Sequence, residues 1–284
     1  MSTHSLPIWS QAGARIVERP VERRGDPTAA AARAADRDLV VAEAHLQRLL
    51  GGESLIVTMR TPGDDLDLAA GLLFTEGVIA SMDDVATLAQ GGGGAGRDRD
   101  NVVDVTAAPG RALAAAAARR VLRATAACGL CGKESIAAVR KRIPPVNDDT
   151  RVPLSVVLGL PAAIRPAQAV FAATGGLHAV GLFTPAGELL LVREDVGRHN
   201  AVDKVIGAAL RGGTASLAGT VMLLSGRAGF ELVQKAAIAR VPVVCSVSAP
   251  SALAVDLAEE VGTTLVGFVR GGSANVYTHP YRII

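Results

Sequence analysis

The sequence predicts an α/β protein in which a layered α/β/α larger domain follows a smaller N-terminal α+β domain. Three observations predict it. Beyond about residue 178, apolar strands alternate with single amphipathic helices. Between about 39 and 106, short apolar runs broken by glycines flank one helix, and 284 residues suffice to bury two unequal cores.

Residues 1–36 mix Ser, Pro, Arg and Ala without periodicity and read as a flexible tail, with the basic cluster Arg19 to Arg24 solvated. Residues 37–110 form the small domain. Within it, apolar runs between Leu39 and Met59 are parted by Gly51-Gly52, which predicts paired strands. Asp64 to Ile79 carries helix-start and helix-period signals that place Leu68, Leu72 and Leu73 on one face. The glycine run 91–94 and the charged residues after it predict a surface loop between Val85–Leu88 and Asn101–Thr106.

Residues 111–284 hold a cysteine motif and the larger domain, with a break at Pro144-Pro145 and Asn147 to Asp149. Strands His178–Phe183 and Leu189–Val192 flank the turn Pro185-Ala186-Gly187. A helix bearing Val202, Val205, Ile206, Ala209 and Leu210 leads to the strand Thr220–Leu224. Then come a helix with Phe230, Val233 and Ala237, the strand Val241–Val247, a helix over Ser251–Val261 and the strand Thr264–Val269. Such alternation predicts parallel crossovers, with ligands beyond the carboxyl ends of the strands. Ser225-Gly226-Arg227, Ser248-Ala249-Pro250-Ser251 and Arg270-Gly271-Gly272-Ser273 occupy that position, as anion sites or as ordinary tight turns.

Composition narrows the classes of function. No apolar run approaches the roughly 20 residues that span a bilayer, and the Ala-rich stretch Ala112–Ala118 is followed by Arg119, Arg120 and Arg123, so no membrane segment is expected. The N-terminus lacks the apolar core of a secretory signal, which predicts a cytoplasmic protein. A net charge of +2 and 3% aromatic residues argue against polymeric nucleic acid as a partner. Three cysteines cannot build a disulfide framework, which leaves Cys128 and Cys131 free for chemistry, while Cys245 sits in an apolar strand and reads as core.

Cys128-Gly129-Leu130-Cys131-Gly132 precedes a helix-periodic stretch, Lys133 to Ile143. The helix macrodipole and Lys133 would both favour thiolate there. Several chemistries use this spacing. A structural zinc site needs four ligands, and Cys245 with the scattered His178, His199 and His279 fits that poorly, so no metal is expected. A zinc deaminase would need a His-x-Glu and a Pro before the first cysteine, and both are missing. Thiol–disulfide exchange would place the pair after an early strand, whereas here an Arg/Ala-rich helix precedes it. A persulfide relay is left, favoured by the glycines that keep bulk away from both sulfurs, with disulfide exchange retained as an alternative.

At this point the motifs resemble those of the FdhD family, sulfur-carrier accessory proteins of formate dehydrogenase. They stand here as Met59-Arg60-Thr61-Pro62-Gly63-Asp64-Asp65, Gly71-Leu72-Leu73-Phe74-Thr75-Glu76-Gly77, Cys128 to Lys133, Glu194 to Lys204, and Ser225-Gly226-Arg227. The resemblance implies a sulfurtransferase. Sulfur from a cysteine desulfurase would be carried as a persulfide to the bis(molybdopterin guanine dinucleotide) molybdenum cofactor, required for formate dehydrogenase activity. It also implies a cytidine-deaminase-like larger domain. Family members tend to carry hydroxyl residues just before the first cysteine, where Ala126 and Ala127 follow Thr125 in this chain.

The expected catalytic residues are Cys128, which receives the sulfur, and Cys131, which assists. The expected cofactor-binding residues are Phe268, Val269, Arg270, Gly271, Gly272 and Ser273, with Arg198, His199 and Arg227 facing phosphates. Guanine nucleotides should serve as mimics of the cargo, and a homodimer is left open. The alternative from another class is a chaperone that binds the molybdenum cofactor and delivers it unchanged.

Overall fold

The structure, a computed structural model, describes residues 15–21, 37–91, 96–111 and 143–284. The cysteine motif at 128–132, the Arg/Ala-rich stretch before it and the helix expected after it lie outside the described residues. What is described has a mixed α/β architecture.

Residues Ile16–Pro20, expected within the tail, form strand β1, which pairs antiparallel with β2 (Arg37–Val41). An ion pair between Arg15 and Asp64 ties this ribbon to the loop ahead of the first helix. The four-stranded sheet that follows runs β4-β3-β6-β5, with β3 Ala44–Leu50, β4 Glu53–Arg60, β5 Val85–Gln90 and β6 Val102–Ala107. Gly51-Gly52 makes the β3–β4 turn as expected, both with positive φ. Helix α1 (Asp65–Thr75) lays Leu68, Leu72 and Leu73 onto this sheet, against Leu46, Leu55, Val103 and Val105.

The six-stranded sheet has the order β12-β11-β10-β9-β7-β8. Its strands are β7 (His178–Phe183), β8 (Leu189–Asp195), β9 (Val221–Leu224), β10 (Val243–Ser246), β11 (Thr264–Arg270) and β12 (Ser273–Val276). Crossover helices α4 (Arg198–Arg211), α5 (Phe230–Ile238) and α6 (Ala252–Val261) connect β8 to β9, β9 to β10 and β10 to β11. The pairings β9–β10 and β10–β11 are parallel, as the alternation predicts. β7 and β8 pair antiparallel through the tight Pro185–Gly187 turn, as a hairpin-type turn predicts; the departure is that β7 also lies against β9, antiparallel to it, so that α4 crosses over β7.

Helices cover both faces of this sheet. On one side Val202, Val205, Val233, Ala237 and Leu257 of α4–α6 meet Leu182, Met222, Leu224, Val244 and Leu265. On the other, Val157, Leu160 and Ile164 of α2 (Leu154–Ile164) meet Phe183, Leu223, Cys245 and Val266. α2 and the short α3 (Ala169–Thr174) escape sequence patterning, since Gly159 and Pro161 interrupt the helical signal of α2.

The two sheets are joined where α1 crosses α4 backbone to backbone. A Cβ on Gly71 would fall 1.8 Å from the carbonyl oxygen of Asp203, and one on Gly207 would fall 1.8 Å from that of Asp67. No residue with a side chain fits at either position. Around this crossing lie the buried ion pairs Arg60–Asp65 at 2.8 Å and Lys235–Asp203 at 2.9 Å and the half-buried pair Arg193–Asp67 at 2.8 Å.

Candidate functional site

The carboxyl end of β8 is built by Asp195, which is fully buried. Its Oδ2 accepts from the Thr61 amide at 3.1 Å and pairs with Lys204 Nζ at 2.7 Å; its Oδ1 accepts from Gly197 N at 2.8 Å and Asn200 Nδ2 at 2.9 Å. Asn200 Nδ2 also donates to the Met59 carbonyl, and Lys204 Nζ to the Thr61 carbonyl. The loop carrying Met59 and Thr61 is thus locked to the segment that opens α4, and no side chain caps the helix itself. Arg198 and His199 are its first two residues. Both are partly exposed at the rim of this edge.

The same edge holds the carboxyl ends of β9, β10 and β11, with their loops stitched together. The Ala179 amide donates to Ser225 Oγ at 2.9 Å, Ser248 N to the Gly226 carbonyl at 3.3 Å, and Phe268 N to the Ser248 carbonyl at 3.1 Å. Ser225-Gly226-Arg227 and the start of the Phe268–Ser273 segment therefore belong to one continuous rim, as the parallel crossovers predict.

His178 completes the cluster. A Cβ on Gly226 would fall 3.2 Å from its Nδ1, and its pKa lies below the ordinary value because burial, then the Arg198 and Arg227 guanidinium groups, disfavour the imidazolium. Those two arginines and His199 thus lie close enough to act on one imidazole. His199 Nε2 is 2.6 Å from Glu231 Oε2, at the first turn of α5. Chemically, guanidinium groups of this kind can pair with an anion, and a carboxylate stands beside them.

The Phe268–Ser273 residues divide in character. Phe268 has φ +54°, a conformation a bulky residue rarely adopts, and Arg270 stacks over its ring at 5.4 Å. Val269 is fully buried in the core, so only its backbone is available to a ligand. Gly271 and Gly272, with φ +60° and +75°, make the two-residue turn between β11 and β12, and Ser273 Oγ donates to the Arg270 carbonyl at 3.2 Å. Arg270 itself is exposed. Cys128 and Cys131 lie outside the described residues. Cys245 is fully buried and burial pushes its thiol up to about 12, which makes it unreactive.

Patterning missed His178, Glu231 and the Asp195–Lys204 pair. A signal for His178 existed in the Pro185–Gly187 turn, whose hairpin register sets His178 opposite Asp195 and hence beside the start of α4. Glu231 carried none and Lys204 only its place in the motif Glu194 to Lys204, because a charge within an amphipathic helix reads as solvated.

Fold and rim together define a mixed α/β protein with arginine and histidine side chains gathered at the carboxyl ends of its parallel strands. A solved structure described as a formate dehydrogenase accessory protein from Desulfotalea psychrophila shares this fold, with a TM-score of 0.70 over 95% of this chain and 98% of that one at 24% identity. The model of the FdhD/NarQ family matches residues 41–284. The chain belongs to that family. It is 52% identical over 251 residues to the sulfur carrier protein FdhD of Streptomyces avermitilis, covering 87% of this chain and 89% of that protein. It is 46% identical to the protein of the same name from Anaeromyxobacter dehalogenans strain 2CP-C, covering 100% of this chain and 98% of that one.

Proposed function

We propose that this protein is a sulfurtransferase that carries sulfane sulfur as a persulfide on Cys128, with Cys131 assisting. A cysteine desulfurase supplies the sulfur. The S–S bond breaks with its electron pair returning to the Cys128 thiolate, the outer sulfane sulfur passes to the bis(molybdopterin guanine dinucleotide) molybdenum cofactor, whose reduced metal supplies the two electrons that bring it to the sulfide level, and formate dehydrogenase receives the sulfurated cofactor, in the cytoplasm. The cargo rests at the rim described above, its pyrophosphate toward Arg198 and Arg227 and its nucleotide toward Phe268–Ser273. Division at about residue 110 into a small α+β unit and a larger cytidine-deaminase-like unit belongs to the same proposal.

The observation that carries this reading is the placing of Arg198 and His199 at the start of α4 and of the Gly226-Arg227 turn beside His178, all at the carboxyl edge of the strands. A rim of this kind suits a large phosphate-bearing ligand. Membership of the FdhD/NarQ family and the relatives' designation as sulfur carriers support the sulfur half. The test is complementation of a bacterium lacking its own family member. Wild type should restore formate dehydrogenase activity and Cys128→Ala should not; full activity with Cys128→Ala would overturn the proposal. For the rim, calorimetry with guanosine diphosphate should show Arg270→Ala or Arg198→Ala weakening binding by about 1.5–3 kcal/mol, the worth of one charge-assisted contact.

A further inference from the structure

Among the described residues of the rim, Glu231 is the one with a buried polar atom left without a partner. Its Oε2 faces His199 Nε2 at 2.6 Å, but its Oε1 is buried and has no hydrogen-bond partner. Lys235, one helical turn on, does not supply it by hydrogen bond. The Lys235 ammonium donates to both oxygens of Asp203 at 2.9 Å and to Thr75 Oγ1 at 2.8 Å. Buried carboxylate oxygens are almost always satisfied, so a donor belongs here that the described residues do not supply.

The surroundings define that donor. Arg198, Arg227 and His199 call for an anionic portion of the ligand, and Glu231 Oε1 calls for an uncharged N–H edge on the same molecule. Among nucleotides, guanine offers its N1–H and its exocyclic 2-amino group side by side. Adenine instead sets an acceptor nitrogen beside its single amino group, which a carboxylate repels, and hypoxanthine lacks the 2-amino donor.

We infer that Glu231, held in place by His199, is the residue that selects guanine, its Oε1 accepting from the N–H edge of the base. The inference rests on the proposal that this edge takes a guanine nucleotide. It adds a specificity determinant that lies outside the Phe268–Ser273 segment and comes from a different helix.

Calorimetry with guanosine, inosine and adenosine diphosphates tests it on wild type and on Glu231→Gln. Wild type should prefer guanosine diphosphate to inosine diphosphate by about tenfold or more, because a site built for a donor rejects the analogue lacking it. In Glu231→Gln the ratio should fall toward one while the adenosine diphosphate affinity holds or rises as the carboxylate's repulsion of the adenine edge is removed, which also shows the phosphate contacts and the fold to be intact. Equal affinity of wild type for the guanosine and inosine ligands would overturn the inference without any variant, as would a preserved ratio in folded Glu231→Gln. If wild type bound none of the three diphosphates, the guanine-nucleotide proposal would fall and this inference with it.

Discussion

Lys204 Nζ lies 2.7 Å from Asp195 Oδ2, and both side chains are wholly removed from solvent. The pair joins the loop after β4 to the start of α4, so it holds the rim in register with the four-stranded sheet. Removing one partner leaves an uncompensated buried charge. Lys204→Met should lower unfolding free energy by about 3–5 kcal/mol in urea titrations, and the double variant Lys204→Met/Asp195→Asn should lose less than the sum of its singles.

The α1–α4 crossing makes a second prediction. Gly207→Ala places a methyl group where the Asp67 carbonyl oxygen stands. Thermal or chemical denaturation should show a loss of about 1–3 kcal/mol or more, with guanosine diphosphate binding reduced only as far as the rim is displaced. An unchanged stability would mean the helices sit further apart.

His178 makes stability depend on pH. Its folded pKa lies below the ordinary 6.5, so the unfolded chain binds the proton more readily. Stability owed to neutral His178 is therefore complete above pH 6.5 and is lost as pH falls below that value toward the folded pKa. His178→Asn should flatten the fall in melting temperature over this window. A bound phosphate should raise the His178 pKa, seen by NMR titration of the imidazole with and without guanosine diphosphate.

Cys245 should behave as an inert core residue. With its thiol pushed up to about 12, it should resist alkylation in the folded protein near neutral pH. Cys245→Ala should cost about 0.5–3 kcal/mol of stability and leave sulfur transfer intact. Loss of transfer in a folded Cys245→Ala protein would contradict its assignment to the core.

How far the sequence foretells this arrangement depends on which force places each residue. The strands and helices from His178 to Val269 are legible because apolar side chains alternate or recur with a clear period, and the rim follows from parallel connectivity. α2 is not, since Gly159 and Pro161 break its pattern, and its place is decided by the apolar sheet face it covers. The buried charges are illegible for a different reason. Asp203, Lys204 and Lys235 have the residue types of a solvated helix face, and only the close α1–α4 crossing made possible by Gly71 and Gly207 seals them in. His199 and Arg198 were legible as rim residues; the Glu231 and His178 side chains that flank them depend on contacts between elements far apart in sequence.

The central claim is that Cys128 carries sulfur, and mass spectrometry of the protein after incubation with a cysteine desulfurase and cysteine tests it most directly. The account predicts a mass increase of one sulfur atom on the peptide bearing Cys128, reversed by thiol reductant and absent from Cys128→Ala. Formate dehydrogenase maturation by a protein that never acquires that sulfur would contradict it and identify a carrier of the unmodified cofactor instead.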